Sequence, residues 1–227
     1  MLINKNNKDG KNKKNILFTV QFAILLSIEA LFCFVPILGS IPFNPVIVAT
    51  TAMLPVIITA LLLGTPAGTL MGFFAGLFSL IVWTFTPPNP LIAFLFTPFY
   101  SLGAIQGNGF SLIICIVPRV LIGLFSGLLF KALNGVMGKN KAAETIMYAI
   151  CGIAGSLANT VFVLAGWYLF FAEEIAKAFE WELSAVFNGA IIFTFLTNGI
   201  PELIVSAVVA VFVCMPLRYV LKKQNLI

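Results

Sequence analysis

The sequence predicts an all-α integral membrane protein with six transmembrane helices and both termini in the cytoplasm. Three observations carry that reading. Of 227 residues, 60% are hydrophobic and only 9% are charged, against roughly 25% charged in soluble domains. The apolar residues fall into runs near the ~20 residues that a bilayer-spanning helix needs. The basic residues gather at alternate ends of those runs, as they do on the cytoplasmic side of membrane proteins.

The same composition excludes whole classes of function. Thirteen basic and eight acidic residues cannot cover the surface of a soluble globule of this length. A soluble enzyme, a nucleic-acid-binding domain and a disordered chain are therefore excluded, and the mean hydropathy of +1.07 agrees. Histidine is absent, which argues against haem, a histidine-bound metal or a histidine proton relay. Cys33, Cys115, Cys151 and Cys214 lie inside apolar runs without a CxxC pair, so they read as small buried hydrophobes. No cofactor, metal or nucleic-acid partner is expected; the lipid bilayer is the surrounding medium.

Residues 1–14 form a basic, Asn- and Lys-rich cytoplasmic tail, and residues 15–227 form a single six-helix substrate-binding domain. Helix one runs from about Ile16 to Leu38. It exceeds a signal-peptide core and no A-x-A site follows, so it is a retained span. Helix two runs from about Pro45 to Leu63, and the tight break Gly64-Thr65-Pro66 leads into helix three, about 66–84. The loop 85–108 is uncharged and rich in proline and aromatic residues, which makes it a candidate lid. Helix four covers about 110–131 and helix five about 142–170; the segment 171–187 is the only acidic stretch. The last apolar region, about 188–220, would measure about 50 Å as one helix. It is expected either to kink at Pro201 or to start near Asn198. With six spans and the N-terminus inside, eleven of the thirteen basic residues fall on the cytoplasmic side, Lys139 among them, and Glu173, Glu174, Glu180 and Glu182 fall outside.

Ionisable groups within a bilayer are costly and usually functional. Three stand out: Glu29, Arg119 and Glu202. Counting ~1.5 Å per residue from the cytoplasmic end, they and Asn159 lie about 18–26 Å up a core about 30 Å thick. Four helices thus place polar groups at similar depth, as an outward-facing pocket requires. Arginine's planar fork suits a carboxylate or phosphate ligand, although Arg119 paired with a carboxylate can equally serve to hold helices together. Asn159, Thr160 and Asn198 can bond a ligand's hydroxyls or amides, or one another. Trp83, Tyr100, Trp167, Tyr168 and Trp181 lie near outer helix ends, where an aromatic belt accounts for them as well as a ligand does. Gly64, Gly68, Gly72 and Gly76 form a small-residue stripe on helix three, echoed by Gly123 and Gly127 and by Ala23 and Ser27. Such stripes serve close packing within the chain or docking of a partner. The sequence contains no GxxxxGK[ST], no DxD and no HExxH.

Four motifs stand together: Leu63-Gly64-x-x-x-Gly68, Val117-Pro118-Arg119-x-Leu121-x-Gly123, Gly155-Ser156-x-x-Asn159-Thr160 and Asn198-Gly199-x-Pro201-Glu202. Through them, and over nearly its whole length, the chain resembles the substrate-binding S components of energy-coupling factor vitamin transporters, most of all the pantothenate-type branch. The resemblance implies a subunit of a bacterial cell membrane without its own ATPase site. It would bind a vitamin in an outer pocket made by helices four to six and the outer loops. It would then associate with a transmembrane coupling subunit and two cytoplasmic ATPase subunits, and topple to release the vitamin inside. Arg119, Asn159, Asn198 and Glu202 would contact the ligand, with Trp167 and Tyr100 beside them. In the family an Ala-x-x-x-Ala face on helix one meets the coupling subunit; here its counterpart is Ala23-x-x-x-Ser27. Folate, pyridoxine-like and cobalamin-type ligands use the same scaffold. A stand-alone transporter with Glu29 and Glu202 as proton-linked groups is the alternative class.

Overall fold

The computed structural model describes residues 3–42, 48–137 and 140–224. Seven helices follow one another: α1 (Ile3–Phe34), α2 (Pro36–Gly39), α3 (Leu54–Leu63), α4 (Thr65–Phe85), α5 (Gly109–Met137), α6 (Lys141–Ala178) and α7 (Leu183–Lys223). Five of them, α1 and α4 to α7, carry stretches long and apolar enough to cross a membrane. The backbone of the lysine-rich segment is helical from Ile3, so the expected tail continues the first span without a break. Lys139 lies outside the described residues.

Helix two departs from expectation. Its expected start at Pro45 lies outside the described residues. Val48–Thr50 is not helix but strand β2, paired antiparallel with β1 (Ser40–Pro42). The β-branched Val48, Thr50 and Thr51 favour extended backbone. Thr51 fixes the end of the hairpin by donating its hydroxyl to the Leu38 carbonyl and its N–H to Gly39. Only then does α3 begin, with Pro55 in its first turn where no N–H is needed. Its ten residues span about 15 Å. Eight of them are buried, so α3 is a core helix sheathed by its neighbours rather than a lipid-facing one.

Gly64 joins α3 to α4 at φ 96°, a conformation that costs a side-chain-bearing residue. From there the small-residue stripe turns inward. A Cβ on Gly72 would strike the carbonyl oxygen of Arg119, and one on Gly123 the carbonyl of Gly68; at Gly76 it would sit 2.9 Å from the Ile116 Cα. Gly72 and Gly76 of α4 and Gly123 and Gly127 of α5 are thus taken up in the contact between these two helices, while Gly68 turns its own face to Ala60 of α3. The outer part of α1 differs. Of its spanning segment only 6% is buried, and Ala23 and Ser27 are exposed on it.

The two long C-terminal helices correct two further boundaries. Helix five runs on to Ala178 through a single non-helical residue, Phe171, and takes up part of the acidic stretch expected as loop. The helix does not start near Asn198; α7 runs uninterrupted through Pro201 over 41 residues. Pro201 follows a π turn at Phe195–Gly199, and Pro216 follows another at Ala210–Cys214. A wider turn just before a proline accommodates its ring and its missing N–H without a break.

Two apolar clusters are stacked along the bundle. One joins Val56, Ile57, Leu61, Met71, Ile122, Met147 and Tyr148. The other joins Phe94, Leu95, Phe96, Ile114, Trp167, Phe171 and Ile175. On α5, Arg119 lies between Ile114 of one cluster and Ile122 of the other; on α6, Asn159 lies between Cys151 and Val163; on α7, Glu202 lies between Ala190 and Ala210. The polar residues therefore mark a seam between two hydrophobic layers.

Gly123→Val pushes a branched side chain into the Gly68 backbone and is expected to destabilise the detergent-solubilised protein by about 1–3 kcal/mol, read as a lowered midpoint of thermal unfolding. Glu202→Ala leaves the Thr50 N–H without its acceptor and the Thr160 hydroxyl with only the Ser156 carbonyl, and is expected to cost about 1–3 kcal/mol. Glu202→Gln, which retains an acceptor oxygen, is expected to unfold nearer the unsubstituted protein in the same assay.

Candidate functional site

The loop 85–108 builds one wall of a cavity. Asn89 starts a 3₁₀ turn, Pro90–Leu95, by accepting the Leu91 N–H with its side chain at 3.0 Å. That turn drives Phe94, Leu95 and Phe96 into the bundle, where they are buried. Three bonds fix it there. Thr97 bonds Thr84 at 2.7 Å, Ser111 donates to the Phe94 carbonyl at 2.8 Å, and Trp83 stacks on Phe96 with ring centroids 4.5 Å apart. The rest of the loop is a small hairpin, Ser101–Leu102 with Ile105–Gln106.

Between this wall, the outer end of α6 and the first turns of α7 lies a cavity of about 530 Å³. That volume falls within the range of small-molecule sites. Aromatic and aliphatic surface from Trp167, Phe179 and Trp181 faces amides and hydroxyls from Asn89, Asn188, Thr194 and Asn198. No charged residue lines it among the described residues. Gly189 admits the indole of Trp181, whose ring lies 2.8 Å from where a Cβ would stand.

Two of the six expected ligand residues, Trp167 and Asn198, line this cavity directly. Trp167 is buried and its indole Nε1 has no hydrogen-bond partner. Asn159 lies two turns further in on the same face of α6, and its buried Oδ1 is likewise unpartnered. Buried polar atoms without partners are rare in a folded protein, and two on one helix face point toward something that binds there. Arg119 lies beneath the wall. Its guanidinium carbon is 5.4 Å from the centre of the Phe96 ring, and the other side of that ring packs edge-on with Trp167 at 5.8 Å. Tyr100 does not reach the cavity; its carbonyl closes the loop by accepting the Gly107 N–H at 3.1 Å.

The ionisable residues are arranged without a direct pair. Arg119 donates Nη1 to the Ile114 carbonyl at 3.2 Å and forms no ion pair among the described residues. It nevertheless interacts electrostatically with both Glu29 and Glu202. Glu202 is 6% exposed; one carboxylate oxygen accepts the Thr50 N–H at 3.1 Å and the other the Thr160 hydroxyl at 3.4 Å. It therefore ties α7 to both the β1–β2 hairpin and α6. Glu29 is the one fully buried residue among the described side chains of α1, at 0% exposure. Cys33 donates to its Oε1 at 3.2 Å, and its Oε2 has no partner.

Sequence reasoning missed Asn89, Asn188 and Thr194 as cavity residues. Asn89 carried a signal, since it stands between prolines in an uncharged loop where a capping side chain sets the direction of the chain. Asn188 and Thr194 carried none, because the start of α7 was not expected there.

No protein-family model matches the chain. Over 203 residues it is 30% identical to the pantothenic acid transporter PanT of Lactococcus lactis subsp. cremoris, which covers 88% of this chain and 91% of that protein. Over 161 residues it is 31% identical to the pantothenate transporter PanT of Leuconostoc mesenteroides, covering 69% and 68% of the two chains. With its apolar helices and its buried polar seam, the chain belongs to the PanT family of multi-pass bacterial membrane transporters.

Proposed function

We propose that the chain is the pantothenate-binding subunit of an energy-coupling factor type uptake transporter. The observation that carries this is a small-molecule cavity lined by Asn198 and by Trp167, whose buried Nε1 has no partner, with Asn159 further along α6 and with Arg119, which forms no ion pair among the described residues, against Phe96 of the adjoining wall. Pantothenate has one carboxylate, an amide and two hydroxyls. Arg119 takes the carboxylate, and Asn159, Asn198 and Glu202 take the amide and hydroxyls. Trp167 forms the apolar wall. The names of both relatives support pantothenate over folate, pyridoxine-like and cobalamin-type ligands.

The reading places six crossings in the bilayer. The β1–β2 hairpin and α3 together make the second, which returns the chain so that both termini lie in the cytoplasm with most of the basic residues. The chain has no ATPase site of its own. A transmembrane coupling subunit docks on the exposed Ala23–Ser27 face of α1, and two cytoplasmic ATPase subunits drive transport. A stand-alone proton-coupled transporter is the second reading, and Glu29 favours it, as a fully buried carboxylate with an unpartnered oxygen.

Isothermal titration of the purified protein with pantothenate is expected to show binding that Arg119→Ala weakens about 10- to 100-fold, the worth of one charge-assisted hydrogen bond; unchanged affinity removes Arg119 from the site. Liposomes containing the chain with its coupling and ATPase partners are expected to accumulate pantothenate only with ATP. Ala23→Trp is expected to abolish that uptake and leave binding intact. Uptake by the chain alone on a proton gradient selects the second reading.

A further inference from the structure

The end of the bundle opposite the cavity holds a second, larger cleft of about 980 Å³. It opens where α3 breaks into α4 and is flanked by the start of α1, the end of α5 and the end of α7. Its lining contains four cations, Lys14, Lys131, Arg218 and Lys222, and no acidic residue. None of the motifs that mark the vitamin site contributes these residues.

The four cations are not scattered along the helices. Lys14 opens the apolar span of α1, Lys131 lies near the end of that of α5, and Lys222 near the end of α7. They stand at the edge of the hydrocarbon, where lipid headgroups lie. Lys14, Lys131 and Lys222 are exposed. Arg218 is set in place: Nη1 donates to the Leu61 carbonyl at 2.9 Å, and the guanidinium lies 4.3 Å over the Phe130 ring. Beside the cations the cleft is apolar and open to the membrane, with Phe18 45% and Leu128 49% exposed. A cationic end that grades into an exposed apolar side matches a molecule with an anionic head and hydrocarbon chains.

We infer that this cleft binds an anionic phospholipid, with its phosphate held among Lys14, Lys131, Arg218 and Lys222 and its acyl chains lying along Phe18 and Leu128. Phosphate is the shared chemistry of a lipid head and of free phosphate. The exposed apolar side gives only the lipid a further contact, and it commits the site to that source. Each lysine near an anionic headgroup contributes favourably and independently at short range.

Native mass spectrometry of the full chain, released from mixed micelles containing phosphatidylglycerol or phosphatidylcholine, tests the inference. The expected result is retention of phosphatidylglycerol in preference to phosphatidylcholine. The triple variant Lys14→Gln, Lys131→Gln, Lys222→Gln is expected to lose about a hundredfold in phosphatidylglycerol affinity. It should keep its monodisperse elution and its unfolding temperature, since all three side chains are exposed. Equal retention of the two lipids overturns the inference, as does a triple variant that keeps the preference. Displacement of the bound lipid by excess inorganic phosphate assigns the cations to a free anion and overturns the lipid source. A triple variant that loses association with the coupling and ATPase subunits but still retains phosphatidylglycerol reassigns the cleft to a protein partner.

Discussion

The close approach of α4 to α5 is the constraint from which the rest of the architecture follows. With Gly68, Gly72 and Gly76 facing Gly123, Arg119 and Ile116, the two backbones touch with no side chain between them. Membrane helices lack a hydrophobic force to drive them together, so contact area between backbones has to supply the attraction. The contact fixes more than packing. The carbonyl of Arg119 rests on Gly72, so the backbone that carries this side chain is fixed in height within the bundle.

The polar seam shows how the chain holds charge in an apolar interior. Arg119, Asn159 and Glu202 stand at the same level on three helices, with a hydrophobic cluster above and another below. Their roles differ. Glu202 is satisfied by Thr50 and Thr160 and joins three parts of the fold. Asn159 and Trp167 retain unpartnered atoms on the face that leads to the cavity. A satisfied group holds helices in place, and an unsatisfied one keeps its hydrogen-bonding capacity. In the proposed site Glu202 would do both, since a carboxylate has lone pairs beyond those that Thr50 and Thr160 occupy.

Much of this was legible in the sequence, for physical reasons that name particular residues. An ionisable residue in a long apolar run has no inexpensive position except the interior, so Glu29, Arg119 and Glu202 identified themselves. Glycines four apart marked faces for close packing, within the chain or against a partner, without saying which helices would meet. In the proline-rich loop, Asn89 and Pro90 together specify a turn. Other features were not legible. Apolar residues preceding Leu54 look alike whether they form a helix or a hairpin, and the strand pairing of Val48–Thr50 depends on a partner, Ser40–Pro42, that hydropathy does not reveal. Pro201 suggested a kink or a nearby helix start; the π turn that precedes it within a continuous helix has no sequence signature. The cavity itself arises from the meeting of three distant segments; of its lining residues Trp167 and Asn198 had been expected to contact a ligand, and Trp181 had been noted among the aromatics at helix ends.

The position of α1 bears on the order in which the protein is made. This helix leaves the ribosome before α3 and α4, on which it packs, and before α5, which carries Arg119. Until they arrive, Glu29 must reside in the lipid, where a carboxylate at a helix centre costs about 2.5–3.5 kcal/mol on insertion scales. The long apolar run around it, mean hydropathy 2.2 over the best window of Lys14–Phe34, is what makes insertion favourable despite that residue. A helix that stands so largely in lipid in the finished protein loses little by waiting there. What it gains on joining the bundle is the burial of Glu29 near Arg119 together with the packing of Phe22, Leu25, Leu26 and Phe32 against the core.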